Sequence, residues 1–307
     1  MRVAAIDCGT NTIKLLVLDE HGADLEREMR IVRLGQDVDR TGRLADEALA
    51  RTFAAVEEYA DLVARHGVDR IRFCATSATR DSANAADFAA GVLARLGAEP
   101  EVLTGPAEAA LAWAGATGGL PGIDPAADGP LLVLDIGGGS TELVLGAGAT
   151  PDAAHSMDIG SVRMTERHLV PTVAGQPPTR DQVAACVTDV DAALDACPVD
   201  PAAARTVVGV AGTVTTLAMG VLGLSAYDRG ATHGARLPVA DVHALCDRLL
   251  GSTAADRADL AWLHPGRADV IAAGALVLSR VLARTRVTEL VVSESDILDG
   301  IAWSLRA

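Results

Sequence analysis

Residues 5–17, AIDCGTNTIKLLV, and 133–145, VLDIGGGSTELVL, align without a gap at an offset of 128. In each copy an apolar strand ends in an aspartate, a glycine-containing turn follows, and a second apolar strand returns, which is the pattern of a β-hairpin. Gly137, Gly138 and Gly139 carry no Cβ, so their backbone N–H groups can come close to an anion. Thr10, Asn11 and Thr12 in the first turn, with Ser140 and Thr141 in the second, add side-chain donors. Asp7, Asp135 and Glu142 are hard oxygen ligands of the kind that hold Mg²⁺, directly or through its waters. One glycine-rich hairpin is usually only a turn; two aligned copies, each closing its first strand with an aspartate, point to phosphate binding. A third turn, Gly209-Val-Ala-Gly212-Thr213, stands between a strand and a helix. Free N–H groups and the positive dipole end of that helix suit a phosphate, although small residues there also fit an ordinary strand-to-helix turn.

The elements that must carry these turns alternate in an α/β pattern. In the first half a third strand is expected over 23–34, an amphipathic helix over 44–66, a strand at 70–75, a helix at 84–97, a strand at 100–104 and a helix from Pro106. The Gly-, Pro- and Asp-rich segment 118–130 precedes the second hairpin and marks a boundary between domains at 1–125 and 126–307. In the second half the spacing predicts strands at 131–136, 141–147 and 154–159, a short helix from Ser161 and a helix at 180–196. Strand-turn-helix 207–219 follows, then helices at 238–250 and 266–283, a strand at 289–295 and a terminal helix able to dock back on the first domain. A repeat on this scale implies two similar halves facing one another.

The formal charge of −15 argues against nonspecific binding to nucleic acid or to an anionic membrane. A polyanionic substrate would have to be drawn in by local N–H groups, metal ions or single arginines. Lys14 is the only lysine beside 25 arginines; aligned with Glu142 across the repeat, it either reaches substrate or is solvated strand polarity. The five cysteines are scattered and odd in number, with no C-x-x-C pair, and read as reduced, mostly buried thiols. Asp7 comes too early for a signal-peptide core, which places the protein in the cytoplasm. Residues 206–227 carry no charge, but their glycines and threonines divide them into a buried strand, loop and helix. None of the seven histidines shows ligand spacing; His264, in HPGRADV, reads as a helix-start residue.

The three turns resemble those of the sugar kinase, heat-shock ATPase and actin superfamily. More specifically, the chain resembles the exopolyphosphatase and guanosine pentaphosphate phosphohydrolase family, in the segments AIDCGTNTIKLLV, ATSATRDSAN, LTGPAEA, VLDIGGGSTELVLG, VVGVAGT and VVSESDILDGIAW. The resemblance implies an α/β fold of two ribonuclease-H-like (actin-like ATPase) domains flanking a phosphate-binding cleft. It implies a catalytic glutamate at Glu108, a phosphate-contacting arginine at Arg80, and metal- and phosphate-organising acids at Asp135 and Glu142. Two positions depart from the family pattern around Glu108: Thr104 stands for a serine and Ala107 for an acid. Glu108 suits a base on its own chemistry too, as a helix-start carboxylate at a strand end, but a helix dipole favours an acid there in any case. Arg80, in Thr79-Arg80-Asp81, alone would be a surface arginine or a partner of Asp81.

The expected activity is therefore exopolyphosphatase: Mg²⁺-dependent hydrolysis of terminal phosphate by direct attack of water, with Mn²⁺ as a substitute. Asp7, Asp135 and Glu142 organise the metal. Thr10, Asn11, Thr12, Arg80, Gly137, Gly138, Gly139, Ser140, Gly212 and Thr213 hold phosphates, and Glu108 acts on the water. Two other readings stand beside it: a guanosine pentaphosphate phosphohydrolase, and a non-catalytic alarmone sensor. The family resemblance also implies a homodimer.

Overall fold

The computed structural model of the chain describes residues 1–120, 122–123 and 129–306. The chain divides into two compact units, Met1–Gly115 with Ile297–Ala307, and Ala116–Asp296. The boundary expected at 125/126 lies outside the described residues; the division falls at 115/116, inside a helix, and groups the terminal helix with the first unit.

The first unit is built on five strands: β1 (Val3–Cys8), β2 (Thr12–Leu18), β3 (Asp24–Ile31), β4 (Arg70–Ala75) and β5 (Glu101–Val102), in the order β3-β2-β1-β4-β5. β1 runs antiparallel to β2 and parallel to β4. Every residue of β1 is buried, because the strand is covered on both faces. Ala4, Ile6 and Cys8 pack with helix α1 (Asp46–His66) through Val56 and Tyr59. Val3 and Ala5 point the other way, onto Ile297, Leu298, Ile301 and Ala302 of the terminal helix Ile297–Ser304. A single turn of helix, Val38–Thr41, precedes α1, and α2 (Ser77–Arg80), α3 (Ala85–Leu96) and α4 (Gly105–Gly119) follow it in chain order. The terminal helix is held closely. A Cβ on Gly300 would meet the Leu111 carbonyl oxygen at 2.1 Å, and Arg27 Nη2 lies 2.6 Å from Asp299 Oδ1.

The second unit holds β6 (Leu131–Ile136), β7 (Thr141–Gly146), β8 (Ala153–Met157), β9 (Thr206–Val210), β10 (Arg236–Pro238) and β11 (Glu289–Val292), in the order β10-β11-β9-β6-β7-β8. With β10 set aside, β8-β7-β6-β9-β11 repeats the first sheet strand for strand and in the same senses. The doubled α/β arrangement expected from the repeat is present. Its helices include α5 (Ser161–Met164), α6 (Arg180–Ala196), α7 (Ala211–Leu222), α8 (Val239–Leu250) and α9 (Ile271–Leu282), with shorter turns at Arg229–Thr232 and Ala254–Ala258.

Differences from the sequence expectation are local. The uncharged stretch 206–227 is β9 followed by α7, and among the described residues no helix is long and apolar enough to cross a membrane. The helix expected from 266 begins at Ile271, because Pro265–Arg267 forms a separate 3-10 turn whose Gly266 N–H donates to His264 Nδ1 at 3.0 Å. The last strand stops at Val292; after it, Ser293 Oγ donates to the Ser295 carbonyl and accepts from the Ser295 N–H. All five cysteines are free, and burial raises the Cys8 thiol well above its ordinary range, with Asp7 adding to it. Cys8 is no activated nucleophile.

Candidate active site

In a parallel sheet with helical crossovers, ligands gather at the carboxyl ends of the strands. In the first unit those ends are Cys8, Ala75 and Val102, and the expected residues follow them directly. Past β1, the Gly9 N–H donates to the Thr12 carbonyl at 2.9 Å and closes the hairpin turn. Thr10 is buried, and its Oγ1 lies 3.0 Å from Ser77 Oγ at the start of α2. Asn11 is buried as well, and among the described residues its Nδ2 has no hydrogen-bond partner; the same holds for Thr79 Oγ1 in α2. A buried polar atom without a partner costs free energy, and these two, next to the same strand ends, are groups that a ligand could satisfy.

Glu108 lies in the first turn of α4, its N–H donating to the Thr104 carbonyl at 2.9 Å. Its carboxylate is buried and accepts from Arg80 Nη1 at 3.1 Å, while the same nitrogen donates to the Leu103 carbonyl at 2.9 Å. One nitrogen of the arginine thus bonds both the backbone and the carboxylate. Burial pushes the Glu108 carboxyl up to about 7, against the pull of Arg80 and with a further push from the negative charges of Asp7 and Asp81. Asp7 sits on the same face of β1 as Val3 and Ala5, and Lys14 Nζ, directly across the hairpin, lies 3.6 Å from its Oδ2.

In the second unit the repeat substitutes acid for base. Asp135 stands opposite Glu142 in the β6–β7 register, as Asp7 stands opposite Lys14. Both carboxylates are buried, and Glu142 Oε1 accepts from Ser156 Oγ at 2.7 Å. Two hard oxygen donors facing each other across a hairpin fit Mg²⁺, which takes one or two carboxylates and fills its other positions with water and phosphate. Among the described residues no three His, Cys, Asp or Glu side chains form a complete metal cage. Asp7 differs from the other two acids in having an ammonium beside it.

The turn Gly137–Ser140 closes as its counterpart does, with the Gly137 N–H donating to the Ser140 carbonyl at 3.0 Å. Gly212 and Thr213 open α7 behind Ala211, which takes a left-handed φ of 64° that costs energy for any residue with a Cβ. Gly212 lets the Arg267 guanidinium come close, since a Cβ there would meet Nη2 and push that side chain away. Burial pulls the Arg267 guanidinium down to about 10, and this arginine was not among the sequence candidates. Nor were Ser77 and Thr79, although the run of hydroxyls in ATSATR held the signal. Arg267 had none, because only the tertiary fold brings HPGRADV against the Gly209–Thr213 turn.

A sequence model of the Ppx/GppA phosphatase family matches residues 17–305. The chain is 47% identical to Exopolyphosphatase 2 of Mycobacterium tuberculosis over 324 aligned residues, covering 99% of this chain and 98% of that protein. Its structure is similar to that of an exopolyphosphatase-like protein solved by a structural genomics consortium, with a TM-score of 0.94 at 44% identity over 99% and 98% of the two chains. A crystal structure of the Ppx/GppA family member of Aquifex aeolicus superposes with a TM-score of 0.80 at 29% identity, over 100% of this chain and 98% of that one.

Proposed function

Since the chain belongs to the Ppx/GppA phosphatase family and is one of its hydrolases, we propose that it removes terminal phosphate from inorganic polyphosphate by direct attack of water, with Glu108 as general base. The observation that carries this reading is the Arg80–Glu108 pair: a buried carboxylate, fixed at a helix start, whose pKa of about 7 matches the working pH of a base.

Glu108 takes the proton of the attacking water as the new P–O bond forms. The bond from phosphorus to the bridging oxygen breaks, and the shortened chain leaves as an oxyanion. Arg80 orients the base and keeps further N–H donors for phosphate oxygens. Asn11 Nδ2, Thr10 and Thr12 in one unit, and the Gly137–Ser140 turn with Gly212 and Thr213 in the other, bind phosphate. Asp135 and Glu142 would hold Mg²⁺, and a divalent cation bound there neutralises charge on phosphate oxygens. Lys14 beside Asp7 supplies positive charge on the protein's own account.

The test is phosphate release from short polyphosphate, long polyphosphate, ATP and guanosine pentaphosphate under one set of conditions. Polyphosphate is expected to be the best substrate. Faster release from guanosine pentaphosphate would make the protein a nucleotide phosphohydrolase instead, and tight binding with no turnover of any of them would make it a sensor.

A further inference from the structure

The glycine turn of the second unit is bound from behind by the segment that follows β8. The Ser161 N–H donates to the Gly137 carbonyl at 3.0 Å, and the N–H groups of Val162 and Arg163 donate to the Gly138 carbonyl at 2.8 and 3.1 Å. The Gly139 carbonyl is out of reach of that backbone and takes a side chain instead: Arg163 Nε donates to it at 2.7 Å. The Arg163 side chain is only 12% exposed, and its Nη2 is 3.8 Å from Asp158. Gly160 lets the two segments meet, since a Cβ there would lie 2.5 Å from the Gly138 carbonyl oxygen.

This fixes where the amides point. In a trans peptide the C=O and the following N–H face opposite ways. With the carbonyls of Gly137, Gly138 and Gly139 all turned toward residues 160–163, the N–H groups of Gly138, Gly139 and Ser140 are turned away from them together. Among the described residues none of the three has a protein acceptor. Successive outward N–H groups of this kind make an anion-binding concavity. Glycine also lets an unpinned peptide turn over, and a flipped Gly139–Ser140 peptide would present a carbonyl oxygen to the phosphate.

The first unit solves the same problem with backbone alone. There the Gly35 N–H donates to the Thr10 carbonyl at 2.8 Å, and the N–H groups of Val32 and Arg33 donate to the Asn11 carbonyl at 3.0 and 2.9 Å. Asn11 aligns with Gly139 in the repeat, so the carbonyl that backbone holds in one unit is held by a guanidinium in the other.

From this we infer that Arg163 is a positioning residue for phosphate binding: it pins the Gly139 carbonyl inward and so pre-orders the Gly138–Ser140 amides for an oxyanion of the substrate. The inference rests on the phosphohydrolase reading for its substrate but has a readout that does not depend on turnover. Losing a hydrogen bond to a charged donor is worth roughly tenfold or more in affinity.

In ¹⁵N-labelled wild-type protein, inorganic triphosphate should move the amide resonances of Gly138, Gly139 and Ser140. In Arg163→Met those shifts should be lost while the Thr10 and Thr12 amides still respond. KM for polyphosphate should rise roughly tenfold or more with kcat changed less than about threefold. Arg163→Lys should lie between the two, as one N–H donor is restored. Gly160→Ala, which drives a methyl against the same turn, should reproduce the loss and decides the matter if Arg163→Met does not fold. Amide shifts or KM left at wild-type values in a folded Arg163→Met or Gly160→Ala would overturn the assignment. If wild-type protein released no phosphate from polyphosphate, the substrate reading would fail, while the triphosphate shifts would still test the role of Arg163.

Discussion

Arg80 Nη1 donates to Glu108 Oε2 at 3.1 Å and to the Leu103 carbonyl at 2.9 Å, so one nitrogen ties the arginine to both ends of the segment that leads into α4. The pair joins α2, after β4, to α4, after β5, and it fixes the carboxylate before any substrate arrives. Burial alone would leave Glu108 protonated at neutral pH; Arg80 keeps its carboxyl within reach of ionisation.

Replacing that carboxylate tests its role directly. Glu108→Gln preserves shape and a hydrogen-bond acceptor for Arg80 but cannot take a proton. Turnover should fall about 10²- to 10⁴-fold, the usual worth of a general base, with KM little changed. A purified, folded variant that keeps more than about half of the wild-type rate would remove Glu108 from the reaction.

The same carboxyl predicts opposite pH trends for activity and stability. A base works ionised, so kcat/KM should rise with pH and level off above about 7. Its folded pKa is raised above the unfolded value of 4.5, so the folded state binds the extra proton. The stability linked to that proton is fully present below pH 4.5 and is lost as pH rises through about 7. Chemical denaturation of wild type and Glu108→Gln across this range checks the sign: the variant should gain on the wild type as pH rises.

Asn11 separates binding from stability. Its buried Nδ2 has no partner among the described residues, so the folded chain bears the desolvation cost without a compensating bond. Asn11→Ala should therefore leave the melting temperature unchanged or raise it while weakening substrate binding. A variant that melts much earlier with unchanged KM would show the amide to be structural.

Divalent cation should be required for turnover but not for folding. Asp135 and Glu142 stand opposite one another in the β6–β7 register, both buried, in a chain of formal charge −15. Chelator should abolish phosphate release and leave the circular dichroism spectrum unchanged, and Glu142→Gln should raise the Mg²⁺ concentration needed for half-maximal rate. Full activity in excess chelator would end the metal assignment.

What the sequence made legible was repetition and pattern. The aligned hairpins told of two halves of one design, and the second sheet does repeat the first, from β6 matching β1 to β11 matching β5. Local pattern failed where three-dimensional neighbours decide: β10 is three residues long and ends in proline, too short for an alternation to show. Among candidate site residues, the turn glycines and Glu108 were visible in motifs. Arg163 and Arg267 were not, because each acts on a glycine turn distant in sequence and carries no pattern of its own. The Asp7–Lys14 ion pair was half visible: the repeat aligned Lys14 with Glu142, but only the strand register puts Lys14 opposite Asp7.

The terminal helix gives a prediction about folding of the first unit. Ile301 is fully buried in the cluster that includes Val3, Ala5, Leu16 and Leu103, on the β1 face that also carries Asp7. Ile301→Ala should cost about 2–5 kcal/mol through lost burial and the cavity left behind. Gly300→Ala adds a methyl instead of removing one, yet it should also destabilise, by about 1–3 kcal/mol, because overpacking forces neighbours apart. The obstacle is the Leu111 carbonyl oxygen, 2.1 Å from the new carbon, and backbone yields less readily than a side-chain tip. Leu111 lies in α4, one turn beyond Glu108, so shifting that helix also displaces the Glu108 carboxylate. Gly300→Ala should therefore lower kcat more than an equally destabilising change elsewhere in the core, such as Val92→Ala in α3. Thermal melts matched for stability, read beside initial rates, settle it: equal rates in the two variants would show that the terminal helix supports the fold without setting the position of Glu108.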